Sequence, residues 1–305
     1  MNNFLIGVLL AILSGICYGF TPILAVYAYQ GGATVSDYVS LRYGVASVIF
    51  LLYLVIFHGK SIFKQLGKIP WALPLVAGFA QAIASFLYMS TVQKTTAGLA
   101  AILFYTYIIW VAVWGFIFIK ERLKLSGVFG IGLALTGLAM LVGVSLGRTS
   151  TVGLIMGLGS GLACSGYVMA SNRILNKAEP IIVSALISVF TAIPLFLLGS
   201  ATGTLKIQIS AAAWLACAVS GVFTVIALFA FMAGMKRVGA TVTSVLGTAE
   251  PVTTVVFSAL LLSQKMTGLQ LIGGMVLLIG AILVVTSKKR PEAGSQQQLR
   301  KTIDT

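Results

Sequence analysis

The sequence predicts an all-α integral membrane protein of ten transmembrane helices, built from two inverted five-helix repeats. Three observations carry that expectation. The chain of 305 residues is 59% hydrophobic and only 9% charged, with a mean hydropathy of +1.05, beyond what a soluble domain carries. Ten apolar stretches are readable, and about 20 apolar residues rising about 1.5 Å each suffice to cross a hydrocarbon core of roughly 30 Å. Finally, the second half repeats the first at a displacement of 143 residues. Fourteen identities fall in the seventy-two positions 71–142, among them Trp71 with Trp214, Gly78 with Gly221, Phe86 with Phe229, Met89 with Met232, Leu103 with Leu246, Gly130 with Gly273 and Gly137 with Gly280. The shared Trp and Gly positions carry the case, because Leu and Val match by chance in any apolar chain. Five segments per repeat is an odd number, so the second repeat must enter the bilayer in the opposite sense.

Taken in order, the first segment (4–29) carries Gly7, Ala11, Gly15 and Gly19 at every fourth position, small residues that let helix backbones approach where lipid gives no hydrophobic drive between helices. Tight packing is the favoured account of that stripe and a sliding seam the other. The segment is too long for a signal-peptide core and lacks a basic leader, so it reads as a permanent helix. The second (38–57) holds Arg42 near its outer end, where snorkelling or pairing with Asp37 is the expected arrangement and capture of an anionic substrate group the minority one. The third (71–92) lines up Gln81, Ser85 and Tyr88 on one helical face. The fourth (97–119) is rich in aromatics, with Tyr107, Trp110 and Trp114 on one face, and the fifth spans 126–146. The sixth (152–171) repeats the small-residue stripe as Gly153, Gly157, Gly161 and Ser165, and the seventh and eighth cover 180–201 and 212–235. The ninth (240–262) holds Glu250 about halfway along, and the tenth spans 268–286. Pro22, Pro74, Pro194 and Pro251 each remove a backbone donor within a segment, so kinks are expected there.

The divisions expected are residues 1–147 for the first repeat, 148–287 for the second and 288–305 for a polar, Gln-rich, disordered tail. A net charge of +14 would suggest nucleic acid in a soluble chain, but here alternate loops account for it. Fifteen of the twenty Lys and Arg residues fall in loops on the N-terminal side or in the tail, which places both termini in the cytoplasm. The joining loops are too short for a soluble domain. Cys17, Cys164 and Cys217 lie inside segments without CxxC spacing and read as small core residues. With His58 the lone histidine and no cluster of Cys or carboxylates, the sequence supports no metal site, no cofactor and no nucleophilic catalysis.

Glu250 is the one acidic residue of six at mid-membrane depth, and a charge there must face protein or water. Thr243, Gly247, Thr254 and Ser258 share its helical face. It is a candidate proton site, and equally a protonated acid that hydrogen-bonds a neighbouring helix beside Pro251. The repeat sets Tyr107 opposite Glu250, and mid-membrane Tyr107 and Trp110 either line a cavity or fill space. The candidate binding set is Gln81, Ser85, Tyr88, Tyr107, Trp110, Thr243, Gly247, Glu250 and Thr254, with Glu250 the coupling candidate.

At Tyr18-Gly19, Leu41-Arg42-Tyr43 with Ala46, Lys120-Glu121-Arg122-Leu123 followed by Gly130, Glu250-Pro251, and Gln264-Lys265 with Gly273, the chain resembles the ten-helix EamA-type permeases of the drug/metabolite transporter superfamily. Gln264 stands at the repeat position of Glu121, and Ile108 where that family often has Pro. The first helix lacks the intramembrane Glu that small multidrug exporters of the superfamily use. The resemblance implies a helical bundle with a central cavity lined mainly by helices 1, 3, 4, 6, 8 and 9, and export of a small metabolite such as an amino acid from the plasma membrane, the bacterial inner membrane being expected. Its partners would be a small-molecule substrate and the lipid bilayer, with no nucleic acid, and the choice of monomer or homodimer stays open. The alternatives are a multidrug or lipophilic-cation exporter and, from another class, a non-transporting membrane sensor or assembly subunit.

Overall fold

A computed structural model of the chain describes residues 2–58, 66–67, 69–95, 97–119, 124–143, 150–261 and 267–287. The described residues are helical throughout, with no strand among them. The helices are α1 (Asn3–Gln30), α2 (Val35–His58), α3 (Ala72–Lys94), α4 (Ala97–Tyr105), α5 (Tyr107–Trp114), α6 (Leu125–Val142), α7 (Thr151–Leu175), α8 (Pro180–Ala201), α9 (Ala211–Val238), α10 (Ala240–Leu246), α11 (Ala249–Leu261) and α12 (Gly268–Ser287), with a wider π-helical turn at Gly115–Ile119. Eight stretches are long and apolar enough to cross a membrane, and Ala72–Tyr88 adds a shorter apolar one. The chain is therefore a multi-pass helical membrane protein.

Its surface and interior are distributed accordingly. Val55, Leu125 and Leu260 are about as exposed as the ends of an open chain, at 72%, 71% and 70%. Ser160, Ser165, Ser188, Ser220, Thr224 and Thr243 are wholly buried. Lipid solvates the large side chains, so the contacts between helices fall to small residues. Many buried hydroxyls bond back into their own helix: Ser160 donates to Gly157 O at 2.6 Å and Thr224 to Ser220 O at 2.8 Å.

The helices begin and end where the local chemistry allows. Ser150 Oγ accepts from Gly153 N at 3.1 Å and Ser210 Oγ from Ala213 N at 3.2 Å, each capping the helix that follows. Gly239, at φ 86°, turns the chain from α9 directly into α10, a conformation that costs a residue with a Cβ.

Close glycine contacts tie the halves together, and they are reciprocal. A Cβ on Gly15 would lie 2.8 Å from Cβ of Ala249, and one on Gly161 would lie 2.5 Å from Oγ1 of Thr106. Gly161 is the equivalent of Gly15, and Ala249 is the equivalent of Thr106. Likewise Gly7 of α1 abuts Arg237 and Val238 at the end of α9, while Gly153 of α7 abuts Lys94 and Thr95 at the end of α3. Helices α6 and α12 cross antiparallel, Gly130 against Gly280 O and Gly137 against Gly273 O, again with each glycine meeting its partner's counterpart.

The prolines behave differently from one another. Pro22 frees the carbonyl of Tyr18, and Thr21 Oγ1 donates to it at 2.7 Å, so α1 runs on unbroken. Pro74 falls in the first turn of α3, where a missing donor has no consequence. Pro194 lies within α8, which is likewise continuous in its assignment. At Pro251 the consequence appears four residues upstream. The carbonyl of Gly247 loses its helical donor and accepts from Glu250 N at 2.9 Å, and the helix breaks at Gly247 and Thr248. The fourth segment breaks at the equivalent depth without a proline: Thr106 turns its hydroxyl onto Leu103 O at 2.6 Å between α4 and α5. The sequence reading had both segments as single helices, so these two breaks are corrections to it.

The cysteines are free and buried, as a core reading expects. The basic residues Lys60, Lys64, Lys68, Lys120, Arg122, Arg148 and Lys265, the residues Glu121 and Gln264, and the expected tail 288–305 lie outside the described residues.

Candidate functional site

A cavity of about 400 Å³ opens between the helices. Its floor lies at mid-helix, at Ser14, Gly15 and Tyr18 of α1, and its wall continues along α1 through Thr21 and Ala25 to Tyr29 in the last turn. It thus reaches the end of the bundle that carries the turn from α1 to α2. Toward the other end, Gly7 and Ala11 of α1 pack directly on Gly234 and Val238 of α9, which closes that side.

Both halves of the chain build the walls. From the first come Gln81, Ser85 and Tyr88 of α3, Phe104 and Tyr105 at the end of α4 and Tyr107 at the start of α5; from the second come Cys164, Tyr167 and Val168 of α7, Phe231 of α9, Gly247 at the break and Glu250 in the first turn of α11. The helix breaks matter here. They set Phe104, Tyr105 and Tyr107 around one point, with ring centroids 5.5 to 5.7 Å apart, where a straight helix would have fanned them to different faces.

Six of the nine sequence-predicted residues are thereby brought together: Gln81, Ser85, Tyr88, Tyr107, Gly247 and Glu250. Tyr107 also donates its hydroxyl to Ser244 O at 3.1 Å, stitching α5 to α10. The other three stand off the lining. Trp110 stacks on Trp114 with centroids 6.1 Å apart, and Trp114 in turn donates to Ser165 Oγ at 3.2 Å. Thr243 is buried and returns its hydroxyl to Gly239 O at 2.8 Å. Thr254 donates to Gly19 O at 2.9 Å, tying α11 to α1. The side chain of Ser258 lies outside what is described.

The sequence reading missed the α2 wall. Tyr38, Val39, Arg42 and Tyr43 all line the cavity, whereas the expected lining left the second segment out. It also expected Arg42 to snorkel or to pair with Asp37, and the structure shows no such pair. Both carboxylate oxygens of Asp37 are taken by the N–H and hydroxyl of Thr34, each at 2.8 Å, and by the N–H groups of Lys206 and Ile207 at 2.7 and 3.1 Å. Arg42 instead lays its guanidinium over the Tyr43 ring at 4.8 Å and near the Tyr38 ring at 5.9 Å. Those rings are themselves held: Gln81 Nε2 donates to the Tyr43 hydroxyl at 2.9 Å, and Tyr38 donates to Thr21 O while meeting Ser220 Oγ. The signal that was available in the sequence was the depth of Arg42; its lack of a carboxylate partner was not.

The interior is thus a ring-lined chamber whose described lining holds Arg42 and Glu250, joined by no ion pair, plus buried polar atoms without a hydrogen-bond partner: Arg42 Nε, Gln81 Oε1 and Ser14 Oγ. Unsatisfied buried groups are scarce in folded proteins, and these belong to residues lining one cavity, where water or a polar guest has room to satisfy them. Among the described residues no group of His, Cys, Asp and Glu is placed to hold a metal ion.

Comparison with known proteins gives three likenesses. The sequence matches the description of an EamA-like transporter family over residues 5–143 and 151–286. It is 24% identical over 228 residues to an uncharacterized transporter of Synechocystis sp., covering 71% of this chain and 67% of that protein. A solved crystal structure superposes with a TM-score of 0.78 at 18% identity, covering 94% of this chain and 99% of the other, a likeness of fold.

Proposed function

We propose, from the premise that this chain belongs to the EamA-like transporter family, that it moves a small organic metabolite such as an amino acid out of the cell by alternating access between two inverted five-helix repeats. Its membership makes it a membrane transporter of small substrates and not an enzyme. The finer statement is carried by one observation, the cavity built from both halves with Glu250 and Arg42 on its wall. Transporters made of inverted repeats bind near the bilayer midplane, where discontinuous helices present their ends to the substrate. The breaks at Thr106 and at Gly247 and Thr248 lie within two residues of each other in the register of the repeat and border the cavity, and the reciprocal glycine contacts fit a pseudo-two-fold relation between the repeats.

The binding set follows from placement. Gln81, Ser85, Tyr88, Tyr107, Gly247 and Glu250 form the inner end of the site, Glu250 serving as proton acceptor during the cycle, while Thr243 and Thr254 hold the broken helix in place. In this reading the ten spans divide near residue 148, both termini are cytoplasmic, and the protein resides in the plasma membrane.

A lipophilic-cation exporter is the second reading, favoured by the aromatic walls and the carboxyl of Glu250. Arg42 in the same chamber opposes it, since a second cation there meets like charge. A non-transporting sensor would bind ligand without moving it. Purified protein in proteoliposomes, tested with a panel of labelled amino acids with and without a pH gradient, decides among the three: saturable flux of an amino acid supports the proposal, flux of lipophilic cations alone replaces it, and binding without flux leaves a sensor.

A further inference from the structure

We propose that Arg42 is a ligand-binding residue on the α2 wall of the cavity, and that the group it takes is the carboxylate of the transported molecule. This rests on the transport reading above and adds a named contact to it. Arg42 lies seven residues into α2, about 10 Å along its axis at about 1.5 Å per residue. An arginine inside a membrane span normally pairs, reaches the interface or lines a polar cavity. Here the first route is closed, because Asp37 already accepts four hydrogen bonds, two of them from the backbone of Lys206 and Ile207. The guanidinium turns inward to the cavity.

Its surroundings hold it in a receiving posture. The guanidinium carbon lies 4.8 Å from the Tyr43 ring centroid and 5.9 Å from that of Tyr38, while Nε is buried without any hydrogen-bond partner. The rings are anchored by Gln81, Thr21 and Ser220, so the aromatic surroundings of the guanidinium are in place before a ligand arrives. A planar fork of donors of this kind matches the two oxygens of a carboxylate or a phosphate. Charge balance selects between them. Glu250 shares the chamber, so a doubly charged phosphate would leave net negative charge in a low-dielectric site, whereas a zwitterion puts its carboxylate on Arg42 and its ammonium toward Glu250. The tyrosine and phenylalanine walls between those poles take an apolar side chain.

Equilibrium binding to the full chain in nanodiscs tests this with three probes that share one ring: L-phenylalanine, L-phenylalaninamide, which lacks the carboxylate, and 3-phenylpropanoate, which lacks the ammonium. Wild type is expected to prefer phenylalanine over its amide. Arg42→Gln is expected to weaken phenylalanine and 3-phenylpropanoate by roughly tenfold to a hundredfold, the equivalent of one charge-assisted hydrogen bond, while changing the amide less than about twofold. Arg42→Lys keeps the charge without the fork and should fall between. The wild-type preference is read without any variant, so a misfolded Arg42→Gln does not blunt the test. Equal binding of amide and acid by wild type, or equal weakening of all three probes in Arg42→Gln, overturns the carboxylate site and leaves transport standing. Inorganic phosphate competing better than acetate reassigns the site to a phosphate group. Binding of none of the three overturns the site and the amino-acid reading together.

Discussion

In the proposed transport cycle, Glu250 is the residue whose role is most open to a direct test. It stands in the first turn of α11, half-buried on the cavity wall, with Tyr18 of α1, Arg42 of α2, Tyr88 of α3, Tyr105 of α4, Tyr107 of α5 and Cys164 of α7 within electrostatic reach. If it binds a proton in each cycle, Glu250→Gln preserves size and most hydrogen bonding but removes the titration. Exchange should then persist while pH-driven accumulation disappears, and Glu250→Asp should keep coupling at a reduced rate. Proton-driven uptake by Glu250→Gln equal to wild type across the pH range would make Glu250 a packing element. The aromatic residues divide in the same assay. Tyr107→Ala should weaken binding, since its ring lines the cavity. Trp110→Ala should leave affinity near wild type and lose only its stacking on Trp114, about 0.5–1.5 kcal/mol of stability. At this scale the sequence displayed a carboxyl and an α3 face that the structure sets on the cavity wall. The separation of Arg42 from Asp37 was hidden, because two of the groups that occupy Asp37 come from Lys206 and Ile207, far away in the chain.

Among the elements, the two broken helices and the paired glycine seams decide the architecture. Tyr107, Trp110 and Trp114 all lie within α5, so helical periodicity groups them, which is how the sequence led to Trp110. The break resets the phase and brings Phe104 and Tyr105 to the cavity instead. No composition signal marks it, since a Thr hydroxyl turned onto Leu103 O does the work that proline does in the other half. The break near Gly247 was legible in principle: Pro251 withholds the donor owed to the carbonyl four residues earlier. The small-residue stripes of α1 and α7 lie at close helix contacts, and the seam of α6 with α12 offers the cleanest test of such packing. Gly137→Leu places a side chain against the backbone of Leu277 and Gly273. Neither backbone can yield, so the variant should lose roughly 1–3 kcal/mol, seen as a lower melting temperature in detergent and a smaller monodisperse peak. Gly132→Leu, on the same helix with open space around its Cβ position, should behave as wild type.

For the whole molecule, the arrangement of charge and the direction of the cavity make one joint prediction. Gly7 near the start of α1 abuts Arg237, and Lys236 donates to Ala178 O at 3.2 Å. The N-terminal end of α1, the start of α8 and the basic end of α9 therefore share one side of the bundle. Basic residues concentrate on the cytoplasmic side of membrane proteins, which sets the termini inside and the cavity, running to Tyr29 at the opposite end of α1, open to the outside. A cysteine placed at Tyr29 in a chain whose three native cysteines are replaced should then react with a membrane-impermeant maleimide added to intact cells, and a transported ligand should slow the reaction. A C-terminal GFP fusion should fluoresce, and a C-terminal alkaline phosphatase fusion should be inactive. Active phosphatase with dark GFP would invert the whole molecule. Labelling of Tyr29→Cys only after the cells are broken open, with the GFP still bright, would instead keep the termini inside and require that the resting protein in cells close the end of the cavity that this structure leaves open.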